Sequence, residues 1–337
     1  LRKAGAARGL QPVGWQGIEL RLPEGWNLVK EEGARQKGSM GFASASSTLE
    51  LKWEEIKRKK VASVEAIAEN FIKGLRKSVK DLKVLGKNPV KVFGHNGVSF
   101  HFESEQEGYG FTWYCDEHEK MFIGIFVFRP AELEAPKLVF RRLLESIRCH
   151  SPEGWERWSI LGFSFRAPST MRLARAPLEK ALMGRNSLML HAEEQHPFLV
   201  ERTEVYLDYW SAADVIFEKT YRDPKKWFKE FYEEGLRKRY RGRMEKGRFQ
   251  ASKVGGHKAE VLKTTFRSGR VEQSVTENRT HIWYCPETNR VYALTLTRGQ
   301  RKNRLYLGLF KRFLSARRSE ASSKRVLDGI LASFSCH

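Results

Sequence analysis

Asparagine and glutamine are scarce in this sequence, eight of each in 337 residues, against 61 Lys and Arg. Few labile amides among many charges is the direction heat-adapted proteins take, so a thermophilic, archaeal source is expected. No apolar run approaches the ~20 residues that span a bilayer. The opening stretch LRKAGAARGLQPVGW lacks the apolar core of a signal peptide. A soluble, cytoplasmic, monomeric protein with a short basic tail over residues 1–14 is therefore predicted. GxxxxGK[ST], GxGxxG after a strand, HExxH and GxSxG are all missing, as is any Cys-x-x-Cys pair. Those absences argue against an enzyme and against a redox or nucleophilic cysteine, and no cofactor or small-molecule substrate is expected.

What is present is charge and repetition. Hydrophobic residues make up 41% and aromatics 12%, a globular composition with length enough for two domains. The formal charge is +21, and it is uneven. Residues 1–151 hold 25 Lys/Arg against 19 Asp/Glu, and residues 152–337 hold 36 against 21. A positive field of this size attracts polyanions, so nucleic acid or an anionic membrane surface leads the candidate partners.

The two halves repeat one another. Gly17-Ile-Glu-Leu-Arg-Leu-Pro23 matches Gly162-Phe-Ser-Phe-Arg-Ala-Pro168, and Gly74-Leu-Arg-Lys77 matches Gly235-Leu-Arg-Lys238. Gly94-His95 matches Gly256-His257, Trp113-Tyr-Cys115 matches Trp283-Tyr-Cys285, and Cys149-His150 matches Cys336-His337. The offset grows steadily from 145 to 187, as duplication followed by insertion in the second copy would give. Domains are predicted over 15–151 and 152–337, the second with a basic insertion near 299–322.

Each copy opens with alternating residues that end at Pro, a strand entering a turn. Further strands follow at TLELKW and TEVYLDYW. A helix then carries Val64, Ile67, Ala68, Phe71, Ile72 and Leu75 on one stripe, or Phe228, Phe231, Tyr232 and Leu236 in the second copy. More strands include the Trp-Tyr-Cys hairpin. The closing helix carries Val139, Phe140, Leu143, Leu144 and Ile147, or Val326, Leu327, Ile330, Leu331 and Phe334. Strands, helix, antiparallel strands, helix predicts an α/β (α+β type) fold of two tandem α/β/α sandwiches, each a largely antiparallel sheet with a central and a C-terminal helix. The element order, the LRLPEGW strand-turn and the closing helix resemble the Mog1/PsbP-like fold. That resemblance implies macromolecular partners of varied kind rather than one activity.

The four cysteines fall into two equivalent pairs, Cys115 with Cys149 and Cys285 with Cys336. A disulfide in each copy is expected; closing loops of about 35 and 52 residues would contribute roughly 4 kcal/mol apiece. Buried free thiols are the alternative. Metal is not expected, because adjacent Cys-His ligands are poor zinc spacing beside Cys-x-x-Cys. His95 and His257 could form a nuclease couple, yet each reads better as a turn histidine with a structural hydrogen bond. Glu103, Glu105 and Glu107 alternate along a strand and fit an exposed face as well as a metal site.

The copies differ mainly in basic material. LRKRYRGRMEKGR supplies Arg237, Lys238, Arg239, Tyr240, Arg241, Arg243, Lys246 and Arg248, expected on a loop. The insertion supplies Arg298, Arg301, Lys302, Arg304, Lys311, Arg312, Arg317 and Arg318, and the first copy answers only with Lys57, Arg58, Lys59 and Lys60. Guanidinium forks bond phosphate oxygens and stack on bases, and Arg/Tyr/Gly loops suit folded RNA. The reading is a non-enzymatic protein that binds ribosomal RNA and ribosomal proteins of both subunits. In design it resembles archaeal ribosome hibernation factors that inactivate translation. A protein–protein or anionic-membrane-surface module of Mog1/PsbP type, and an RNA-processing nuclease, are the alternatives.

Overall fold

Alternation at period two along β5 (Ser47–Glu55) turns Leu49, Leu51 and Trp53 to one face and Glu50, Lys52 and Glu54 to the other. That split organises the first half of the chain. The computed structural model describes residues 10–129, 135–151, 153–159, 162–175, 185–196, 199–215, 223–240, 242–269, 272–303 and 316–336. The chain packs as two compact units, Leu1–Leu161 and Gly162–His337, whereas the sequence pattern places the boundary at 151.

In the first unit β5 belongs to a seven-stranded antiparallel sheet. Its spatial order is β3 (Asn27–Gly33), β4 (Lys37–Ala43), β5, β9 (Lys120–Phe128), β8 (Glu107–Cys115), β7 (His95–Glu103) and β6 (Lys83–Val92). The apolar face of β5 continues across Met40, Phe42, Phe111, Phe122 and Phe126. Helix α2 (Pro136–Ser146) covers it, stacking Phe140 at 4.4 Å from the Tyr109 ring and 5.6 Å from Phe111. A small sheet of β2 (Ile18–Pro23), β1 (Leu10–Trp15) and β10 (Trp155–Ser159) also belongs to this unit.

Helix α1 (Val64–Ser78) packs against β7 and β8, bringing Ile72, Phe71 and Leu75 onto Phe100 and Phe102. Those two rings lie on the sheet face opposite Phe111, so the two helices sandwich the sheet. Ser63 caps α1 by accepting a hydrogen bond from the Ala66 N–H at 3.1 Å.

The second unit repeats the strand order: β12 (Arg172–Arg175), β13 (Arg185–His196), β14 (Leu199–Ser211), β19 (Arg290–Asn303), β18 (Glu272–Cys285), β17 (His257–Ser268), then β15 (Arg243–Lys246), with β16 (Gln250–Val254) also on β17. Here the central helix is broken. Helix α3 (Pro224–Trp227) passes through a π segment, Phe228–Tyr232, into α4 (Glu233–Arg239). Trp227, Phe228, Tyr232 and Leu236 fill one core with Leu262, Phe266 and Ile282. Helix α5 (Ala316–Ser333) closes the unit. Strand β11 (Ser164–Pro168) pairs with the residue before its last cysteine, as Ser164 and Ser335 exchange both backbone hydrogen bonds at 2.7 Å. Glu19 and Arg148 do the same in the first unit, at 2.8 and 2.7 Å.

Candidate functional sites

Those paired bridges fix Cys149 and Cys336, each the next residue along. Cys115 and Cys285 end β8 and β18, and His95 and His257 begin β7 and β17. Both histidines follow a two-residue hairpin whose central residues, Phe93-Gly94 or Gly255-Gly256, have positive φ. That is the type I′ geometry that matches strand twist. Three elements distant in sequence thus deliver cysteine and histidine to one point in each unit. In the first, one ligand atom each of His95, Cys115, Cys149 and His150 lies within 4.8 Å of every other; in the second, those of His257, Cys285 and Cys336 do.

The expected disulfides are not formed: Cys115, Cys149, Cys285 and Cys336 are all buried free thiols. The sequence correctly brings each pair together, but histidine enters the same space. His150 Nδ1 sits 3.5 Å from Cys115 Sγ and 3.4 Å from Cys149 Sγ, and His257 Nε2 sits 3.1 Å from Cys336 Sγ. A hydrogen bond from the Cys149 thiol, opposed by burial and aided by a backbone N–H of His118, holds Cys115 down at about 5. The same hydrogen bond, with burial, pushes Cys149 up. Burial pushes Cys336 up to about 12. The repeated Trp-Tyr-Cys triplet therefore supplies one sulfur to each cluster.

Sequence reasoning missed this convergence because it took the histidine at each hairpin to belong to the turn alone. The signal was present in the fixed order Gly-His, Trp-Tyr-Cys, Cys-His within both copies. It also missed Glu117 and Glu287, each two residues beyond the hairpin cysteine. His150 Nε2 lies 2.9 Å from Glu117 Oε2, and Cys285 Sγ lies 3.3 Å from Glu287 Oε2.

The basic run expected on a loop is largely built into the second unit. Arg237, Lys238 and Arg239 form the last turn of α4, where cations favour the helix C-terminus. Arg237 and Lys246 both pair with Glu233, the former at 2.9 Å, and Lys238 pairs with Glu234 at 2.6 Å. The Arg239 guanidinium lies over the Tyr206 ring, 3.6 Å from its centroid. Tyr240 is turned inward, its hydroxyl donating to Glu204 at 3.0 Å. Arg243 and Arg248 are exposed.

Arg298 extends β19 and pairs with Glu201 at 3.3 Å, both side chains 13% exposed; Arg301, in the same strand, is exposed. Arg241, Arg304, Lys311 and Arg312 lie outside the described residues, as do the side chains of Lys302, Arg317 and Arg318. In the first unit Lys57, Arg58, Lys59 and Lys60 are all exposed around a single 3₁₀ turn, with Arg58 3.8 Å from Asp116. His101 and Glu107 pair at 2.7 Å, which turns one end of the alternating glutamates into a structural contact.

Helix α1 leaves part of its sheet face open. Beside it, over β3, β4, β5 and β9, runs a groove of about 700 Å³. Ile56, Ile67, Met121 and Ile123 give it apolar walls, and Lys30, Glu32, Lys37, Lys52 and Glu54 edge it. The edge charges pair among themselves, Lys30 with Glu50 at 3.4 Å, Lys52 with Glu50 at 3.3 Å and Lys37 with Glu54 at 3.0 Å. Exposed pairs of this kind are weak and exchange readily. Among the described residues no helix is long and apolar enough to cross a membrane.

No family model and no curated protein sequence matches the chain. Among solved structures it is similar to cyanobacterial PsbP (CyanoP) from Synechocystis sp. PCC 6803, at 15% identity and TM-score 0.35, over 44% of this chain and 96% of that one. It is similar to the T6SS immunity protein TplEi from Pseudomonas aeruginosa, at 13% identity and TM-score 0.35, over 98% and 97%. A chain of the Tle4–Tli4 complex aligns over 98% of this chain and 99% of its own, at 14% identity and TM-score 0.35.

Proposed function

We propose that this is a non-catalytic binding protein, built of two PsbP-like sandwich domains, whose partner is another protein. The half-covered sheet face of the first unit is the contact surface. The groove beside α1 carries this reading. Its apolar walls provide the water-excluding centre that a protein contact needs, and its edge carries both signs of charge. Glu32 and Glu54 on that edge would repel a phosphate backbone, whereas a segment of folded or extended protein can meet lysines and glutamates together. Two basic residues of the second unit speak the same way, because Arg239 lies over the Tyr206 ring and Lys246 pairs with the largely buried Glu233.

Affinity capture with the tagged chain before and after RNase, using wild type and Ile123→Lys, tests the reading. A specific protein retained after RNase and lost from Ile123→Lys, with the variant's unfolding transition unchanged, is the expected result. Ribosomes or RNA as the captured material, released by RNase and indifferent to Ile123, would replace it with the ribosomal reading.

A further inference from the structure

We infer that the first unit is built around a tetrahedral zinc ion held by His95, Cys115, Cys149 and His150, and that His257, Cys285 and Cys336 hold a second zinc ion in the second unit. Two thiolates and two imidazoles are the donor set that zinc takes in closed structural sites, and thiolate with imidazole selects it over the hard divalent ions. Zinc–sulfur and zinc–nitrogen bonds of about 2.3 and 2.0–2.1 Å place sulfur and nitrogen about 3.6 Å apart across a tetrahedron. The distances from His150 Nδ1 to the two sulfurs, 3.5 and 3.4 Å, already have that span. Cys115 and Cys149 are 0% and 3% exposed and His150 is 8%, so the site has the enclosure of a structural centre rather than the open position of a catalytic one.

Three further observations belong to a metal site and not to a simple hydrogen-bonded cluster. His95 Nε2 is buried without a hydrogen-bond partner, a cost that a metal bond removes. His150 presents Nδ1 to the sulfurs while Nε2 meets the Glu117 carboxylate at 2.9 Å, the carboxylate–histidine arrangement that orients a zinc ligand and raises its basicity. Ligands of the same types also converge in the second unit, where one ligand atom each of His257, Cys285 and Cys336 lies within 4.8 Å of every other. Binding converts two thiols to thiolates and releases their protons, leaving each centre electrically neutral.

The test is metal analysis of the intact chain purified without chelator. Two zinc ions per chain are expected, released by a mercurial with two thiols titrated per ion. Cobalt(II) added to the stripped chain should give the intense visible absorption of a tetrahedral thiolate site. Cys115→Ser and Cys285→Ser should each remove one ion, and the double variant both. If either variant fails to fold, the mercurial titration of the wild-type chain still decides. A reduced chain that contains no zinc and takes up neither zinc nor cobalt(II) would overturn the inference. So would metal content untouched by blocking the four thiols. Neither result depends on what the groove of the first unit binds.

Discussion

The Glu156 carboxylate receives both terminal nitrogens of Arg35, one at 2.7 Å, in an end-on pair whose members are 2% and 13% exposed. Arg35 lies in the β3–β4 turn of the large sheet and Glu156 on β10 of the small one, so the pair ties the two sheets of the first unit. Lys120, buried nearby and pushed down to about 8 by that burial and then by Arg35, also sees the Glu156 charge. Glu156→Gln therefore leaves two cations short of their counter-charge. It should destabilise the first unit by about 3–5 kcal/mol, read from denaturant unfolding. The paired replacement Arg35→Met with Glu156→Leu should recover most of that loss, which distinguishes a buried ion pair from general packing damage.

Gly110 and Gly124 are the floor beneath two aromatic rings. Phe100 faces Gly110 across β7 and β8, and Phe111 faces Gly124 across β8 and β9. A Cβ on either glycine would fall within the opposing ring, and both rings are fully buried. Gly110→Ala and Gly124→Ala should each cost about 1–3 kcal/mol through overpacking. Pairing Gly110→Ala with Phe100→Leu should restore part of it, measured as the unfolding midpoint of the first unit.

Period-two alternation made the sheets legible, because it marks burial directly: the spacing of Leu49, Leu51 and Trp53 is enough to put all three on one face. The repeat likewise announced two cores with common elements, and the strand order of both sheets agrees. Long-range convergence was not legible. Nothing local in Gly94-His95 says that Cys115 and the Cys149-His150 pair lie beside it. Residues 95, 115 and 149 meet only because β7, β8 and the chain after α2 end at the same edge. Which charges are paired was not legible for a related reason. A run such as LRKRYRGRMEK looks solvated in one dimension, but a helix turn and a strand edge bring Glu233, Glu234 and Tyr206 to its cations.

Arg239 shows the consequence most directly. Its guanidinium stacks on Tyr206 while its neighbour Tyr240 reaches Glu204, so the side chain contributes packing to the second unit. Arg239→Ala should lower the stability of that unit by about 1–2 kcal/mol, the range of a desolvated cation–π contact. Arg248→Ala, at an exposed position, should change it by less than about 0.5 kcal/mol. Equal effects in thermal unfolding would mean that Arg239 acts through solvent-exposed charge alone.

His281 makes the second unit sensitive to acid. It is 5% exposed on β18, with Nδ1 3.2 Å from Ser252 Oγ. Burial, and then the Arg279 charge, push it from 6.5 down to about 4. Between these values the unfolded chain binds a proton that the folded chain refuses, so stability is full above about 6.5 and falls as the pH drops towards 4. At about 1.4 kcal/mol per pKa unit, the fall attributable to this residue is about 3 kcal/mol. His281→Asn keeps a polar group near Ser252 and removes the titration. Denaturant melts of both proteins from pH 7.5 to 4 should show the wild type losing stability relative to the variant through that window. A difference that does not change with pH would mean that His281 titrates alike in the folded and unfolded chains.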